Sequence, residues 1–150
     1  MLKNSLIKIF ERDLKKLKEE IILFENESDL WVTAGDVNNS PGNLCLHVCG
    51  NLKHFIGHIL GGTDFFRERA KEFSLKDVTK NELLNNCDET LSVVKSTLEK
   101  LDESNFESSY PINVFKKEVM TEFFLIHLTT HLNYHLGQIN YHRRILVSNE

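Results

Sequence analysis

The sequence predicts an all-α chain folded as a four-helix bundle. Apolar residues recur at alternating steps of three and four in separate stretches, no stretch alternates with the period of two that a strand needs, and turn formers collect between the helical stretches. A chain of 150 residues has the length of one domain, so a single domain over residues 1–150 is expected.

The first helix spans roughly residues 3–25, because Leu6, Phe10, Leu14, Leu17, Ile21 and Phe24 follow at steps of 4, 4, 3, 4 and 3 and form one stripe. Residues 26–39 are rich in turn formers, with Leu30 and Trp31 as apolar anchors that fold the loop back. Ser40 and Pro41 start the second helix, since a serine side chain caps free N–H groups and proline suits the first helical position. That helix should run to about Leu60 and stop at Gly61-Gly62. Thr79 with Glu82 matches a capping box, and Leu84, Cys87, Leu91, Val94, Leu98 and Leu101 continue a third helix. Residues 102–116 are polar and broken by Pro111, which holds Tyr110 extended. A last helix covers about Glu118 to Leu146. The long linker between the second and third helices is sufficient for a crossover.

Net charge and cysteine usage narrow the function. A formal charge of −4 and a pI near 6.0 disfavour nucleic acid or an anionic membrane as the main partner, since both need a concentrated basic face. The run of Lys15, Lys16 and Lys18 leads straight into Glu19 and Glu20 and reads as a solvated helix face. The first residues lack the apolar core and cleavage site of a signal peptide, and no apolar run has membrane-spanning length, so a cytoplasmic protein is the expectation. Cys45, Cys49 and Cys87 are read as reduced packing thiols.

All seven histidines fall in two stretches, residues 43–60 (NLCLHVCGNLKHFIGHIL) and 127–142 (HLTTHLNYHLGQINYH). At 100° per residue, His47, Asn51, His54 and His58 lie within about 60° of one another beside Leu44, Val48, Phe55 and Ile59. His127, His131, His135, Gln138 and His142 form a second stripe beside Leu128, Leu132, Leu136 and Ile139. Histidines four apart on a helix both reach one ion, whereas His127 and His135, about 12 Å apart along the axis, do not. Spacing alone leaves His54/His58, His127/His131 and His131/His135 open as pairs. The competing reading is a polar groove of hydrogen-bonded histidines, with His58 and His142 exposed near helix ends. The Glu-x-x-His elements of di-iron bundles, the HExxH signature and phosphate-binding glycine loops are absent. A Cys-His dyad is disfavoured because Cys45 and Cys49 project away from the His47 stripe.

Three segments together, residues 39–51 (NSPGNLCLHVCGN), 61–73 (GGTDFFRERAKEF) and 131–146 (HLNYHLGQINYHRRIL), resemble the DinB-like (YfiT-like) metal-binding four-helix bundles, in a bacterial branch of that family. The resemblance implies an up-down-down-up bundle with a long crossover between helices two and three. It implies His47, His131 and His135 as metal ligands, with zinc or nickel as the divalent ion. Asn51, His54, His127 and Gln138 then become groove-lining or ligand-orienting residues, and His58 and His142 become groove or surface residues. Arg67 and Arg69 are candidate contacts to an anionic substrate if their segment folds over the groove; surface salt bridges to Glu68 and Glu72 are the competing reading. The resemblance further implies a homodimer acting on a small molecule as a thiol S-transferase, with bacillithiol or mycothiol as the kind of cosubstrate, or as a hydrolase. A non-enzymatic metal- or ligand-binding bundle for sensing or storage, or a structural dimer module, fits the same residues.

Overall fold

The computed structural model describes residues 1–147, without the Val147 side chain; residues 148–150 of the expected domain lie outside the described residues. Helix α1 (Leu2–Ile22) buries Leu6, Phe10, Leu14, Leu17 and Ile21. It ends three residues earlier than expected, and buried Phe24 follows in the turn. A 3₁₀ turn (Glu27–Trp31) then inserts Leu30 into the core. Trp31 lies against Gly42, where any Cβ would come within 2.8 Å of the indole, so only glycine lets this loop close on the next helix.

Helix α2 (Pro41–Leu52) starts as the sequence predicts, with Ser40 Oγ accepting from the Asn43 amide at 3.2 Å. From Lys53 to Leu60 the helix continues as a π-helix, in which the Gly61 amide reaches back five residues to the Ile56 carbonyl. Wider turns shift the phase of every side chain beyond Leu52. Ile56 therefore becomes fully buried, while Phe55 and Ile59 of the expected apolar sector are only half-buried. The crossover carries the short helix α3 (Arg69–Ser74), fixed to α2 by buried Asn43, whose Nδ2 donates to the Glu72 and Leu75 carbonyls at 3.0 and 2.8 Å. A Cβ at Gly50 would lie 2.1 Å from Glu72 Oε2, so the approach of α3 to α2 requires glycine there.

Helix α4 (Lys80–Lys100) opens with the predicted Thr79–Glu82 capping box. Its buried face is rotated from the expected stripe: Leu83, Thr90 and Thr97 join Cys87, Val94 and Leu98 in the interior, and Leu84, Leu91 and Leu101 sit at its edge. Thr90 is satisfied within the helix by donating to the Asn86 carbonyl at 2.7 Å, so it packs as an apolar residue would. After the short α5 (Glu103–Phe106), an isolated bridge pairs Ser109 with Met120, and Tyr110 donates its amide to the Val119 carbonyl at 2.8 Å. That bridge keeps residues 118–120 extended, and α6 (Thr121–Val147) starts three residues later than expected.

Cross-helix contacts give the chain direction. Lys3 reaches the Glu99 and Leu101 carbonyls and Lys80 reaches that of Phe24, so α1 and α4 are antiparallel. Asp13 meets Asn133 and Glu20 meets Asn140 and Arg143, so α1 and α6 are parallel. Cys45 faces Cys87, Gly57 faces Val93 and Gly61 faces Thr97, so α2 and α4 are parallel. His47 meets His131 while Phe55 meets Phe124, so α2 and α6 are antiparallel. The bundle is up-down-down-up, as expected, with α1 diagonal to α2 and a crossover from α2 to α4. Among the described residues no helix is long and apolar enough to cross a membrane.

Glu20 is 5% exposed between α1 and α6. Burial pushes its carboxyl up, but hydrogen bonds from Arg143 and Asn140 and the charges of Arg143 and Lys16 outweigh that and leave it below the ordinary value. A carboxyl lowered on folding stabilises above its unfolded pKa, and that contribution disappears as pH falls through the folded one. Chemical denaturation should show Glu20→Gln destabilised by about 1–3 kcal/mol at neutral pH, with the gap closing in acid.

Candidate metal centre

Midway along the α2–α6 seam three imidazoles converge edge-on. His47 comes from the last regular turns of α2, before the π segment, and His131 and His135 lie one turn apart on α6. His131 Nε2 is 3.2 Å from His47 Nε2 and 3.1 Å from His135 Nε2, and the rings meet at interplanar angles of 75–88°. One nitrogen from each lies within 4.8 Å of the others. Three nitrogens bound tetrahedrally to one ion at 2.0–2.1 Å stand about 3.3 Å apart, close to this spacing.

The outer nitrogens fix the tautomers. His47 Nδ1 is 3.0 Å from Glu72 Oε1 and His135 Nδ1 is 2.7 Å from Gln138 Oε1. Both partners accept, so both Nδ1 atoms carry the proton and, in the neutral ring, both Nε2 atoms turn a lone pair inward. His131 Nε2 faces both lone pairs and holds at most one proton, which leaves one short N···N contact without a hydrogen. Burial, followed by the nearby His135, His47, His127 and Arg67, lowers His131 to about 4. Burial lowers His135 as well, against the hydrogen bond to Gln138. A cation is the one occupant that all three lone pairs attract, so the donor set fits a divalent ion of the borderline class.

Behind His47 stands Glu72, which the sequence offered only as a partner for surface salt bridges. It is buried, and Arg67 grips it with two hydrogen bonds, Nε to Oε2 at 2.8 Å and Nη2 to Oε1 at 2.9 Å. Burial pushes the Glu72 carboxyl up; hydrogen bonds from His47 and Arg67 and the Arg67 charge outweigh it and hold it ionised. Phe73 covers the His47 ring at 4.8 Å between centroids. The segment does fold over the groove, yet the surface pairing expected of Arg67 is a buried one. Asn43 and Gly50, which position Glu72, also escaped the sequence reading; the one signal for Glu72 was its place in the crossover segment that the sequence reading allowed to fold over the groove.

Two clefts flank the centre. One, of about 260 Å³, is lined by His47, Asn51, Phe55, Arg69, His127 and His131 among others. Asn51 is 7% exposed, and its Oδ1 has no hydrogen-bond partner. Arg69 is exposed and stacks its guanidinium over Phe73 at 5.3 Å. The other cleft, of about 570 Å³, is lined by Leu44, Tyr134, His135, Gln138, Tyr141 and His142 among others. His142 lines this cleft at 6% exposure with a buried Nε2 that has no partner, so it is the groove residue that the resemblance allowed and not the exposed helix-end histidine of the competing reading. The π-helix carries His54 and His58 out of the His47 stripe: His54 stacks on His58, and exposed His58 bonds the Thr63 carbonyl.

Solved structures that share the fold include two bacterial proteins. A conserved protein from Enterococcus faecalis aligns with a TM-score of 0.76 at 17% identity over 97% of this chain and 96% of its own. A DinB-like protein from Bacillus cereus aligns with a TM-score of 0.75 at 14% identity over 95% of this chain and 91% of its own. No curated protein matches the sequence. The family model described as protein of unknown function (DUF1572) matches residues 3–150, and the chain therefore belongs to that family, with a DinB-like helical-bundle fold.

Proposed function

We propose that this protein is a divalent-metal-dependent enzyme acting on a small molecule, as a thiol S-transferase or a hydrolase. The observation that carries the reading is the convergence of His47, His131 and His135 with two of their outer nitrogens fixed by Glu72 and Gln138. Those three side chains would hold the ion, zinc or nickel. Such an ion, when bound, supplies Lewis acidity and lowers the pKa of a thiol or water.

The protein's own residues supply orientation and enclosure. Glu72 holds His47 in its tautomer, and Arg67 neutralises the buried carboxylate that does so. In the smaller cleft, Asn51 offers an unpaired amide oxygen to a donor on the substrate. Arg69 stands at the same cleft as a cation for an anionic group, and the packed rings of Phe55 and Phe124 give the cleft an apolar part. His127 lies between Phe115 and Phe124 and is the titratable side chain best placed to exchange a proton with a group bound there.

Protein purified without a histidine tag should carry one divalent ion per chain by elemental analysis. His47→Ala/His131→Ala/His135→Ala should lose it; a metal-free native protein, or full retention in the triple variant, overturns the site. Glu72→Ala should weaken metal affinity by about 10–100-fold in a chelator competition, and Glu72→Gln, which still accepts from His47, by less. Turnover of an electrophile panel with bacillithiol and other low-molecular-weight thiols, alongside ester and amide hydrolysis, decides between enzyme and binding bundle. Metal binding with no turnover at all favours the bundle.

The homodimer would form on α6, where Phe123, Ile126, Tyr134 and Tyr141 are exposed along one side. Light scattering after gel filtration should give twice the chain mass for the native protein and a monomer for Phe123→Glu/Ile126→Glu.

A further inference from the structure

The opposite side of α2 carries a second converging set of donors. Cys45 and Cys49 are four apart on that helix, and Cys87 reaches them from α4. The Cys45 and Cys87 sulfurs are 3.7 Å apart, and all three sulfurs lie within 4.8 Å of one another. Every one is a free thiol, with exposures of 0%, 0% and 2%. A central atom bonded to three sulfurs at about 2.3 Å holds them roughly 3.5–4 Å apart.

Charge decides which ion suits this cluster. The sulfurs lie within the apolar core, where a net charge carries a large desolvation cost. The Lys53 ammonium near Cys49 is already paired with Glu89 at 3.0 Å, and the Thr90 hydroxyl is turned to the Asn86 carbonyl. Three thiolates around a divalent ion leave one negative charge and an open fourth position. Around a trivalent ion with a lone pair they leave no charge and need no further ligand.

We infer that Cys45, Cys49 and Cys87 form a three-sulfur site for a trivalent thiophilic ion, with arsenic(III) as its probe. Arsenous acid condenses with the three thiols, three As–O bonds being replaced by three As–S bonds. Each thiol proton leaves with a hydroxide as water, so three waters are released and no atom changes oxidation state. The three thiols are closed off from solvent, so arsenic enters as α2 and α4 part locally, and loading is slow compared with reaction of an exposed thiol. This site is separate from the histidine centre and stands whether or not that centre is catalytic.

The test is titration of the reduced native protein with arsenite. The expected result is one arsenic per chain by mass spectrometry under native conditions, all three thiols protected from a thiol reagent, and a raised melting midpoint because the folded chain is the binder. The His47→Ala/His131→Ala/His135→Ala variant should keep this binding, and Cys45→Ala, Cys49→Ala and Cys87→Ala, each checked for native helix content, should lose it. A lowered midpoint shows capture of the unfolded chain and overturns the site, as does full thiol reactivity at saturating arsenite. Zinc or cuprous ion displacing arsenic from these sulfurs overturns the neutral-complex assignment.

Discussion

A carboxylate laid against a glycine governs the architecture of the histidine centre. Glu72 occupies the space that a side chain at position 50 would fill, and from there it reaches His47 on one side and Arg67 on the other. The pairing is mutually dependent. Without Arg67 the carboxylate would be a buried anion with one neutral partner, and without Glu72 the His47 ring would be free to turn its proton toward the other histidines. Asn43 adds the backbone half of the same constraint by binding the Glu72 and Leu75 carbonyls, so the end of α3 cannot lift without releasing two hydrogen bonds. The crossover is thus a working part of the centre, and its path over α2 determines which way His47 points.

Helix α2 segregates two kinds of donor. His47 faces α6, while Cys45 and Cys49, each two residues away and so turned about 200° around the axis, face α4. Nitrogen ligands of borderline softness therefore meet a wet, cleft-flanked seam, and sulfur ligands meet dry core. Such a helix has almost no solvated face: every residue of Pro41–Leu52 except Leu46 is buried. Its stability comes from neighbours on all sides, with α4, α6 and the crossover each covering part of it.

How much of this could be read from the chain depends on how local the determinant is. The bundle, its four long helices, both predicted N-terminal caps and the α1 stripe follow from spacing of three and four and from single capping residues, all local signals, whereas the short α3 and α5 carry too few residues to show a period. The meeting of His47 with His131 and His135 was legible through the resemblance, whereas helical geometry alone left other pairs open. The fate of His54 and His58 was hidden because a π-helix has no periodic signature in eight residues, yet it re-aims every side chain beyond Leu52. Glu72 was hidden for a different reason: a Glu in a charged surface-like segment becomes buried only through the absent side chain of Gly50, a pairing across 22 positions that no local pattern encodes.

Three imidazoles set nitrogen to nitrogen, in the tautomers that Glu72 and Gln138 select, have no complete hydrogen-bond scheme of their own. With the Nδ1 protons committed outward to Glu72 and Gln138, the inward lone pairs repel, and the half-buried setting keeps water from relieving them fully. The penalty falls on the α2–α6 seam, while α1 packs its unbroken stripe of Leu6, Phe10, Leu14, Leu17 and Ile21 into the rest of the core. Apolar burial by α1 and α4 can therefore hold the bundle while the seam stays strained. An ion drawn into the seam turns repulsion into attraction, and part of its binding free energy then appears as folding stability concentrated in α2, α6 and the crossover.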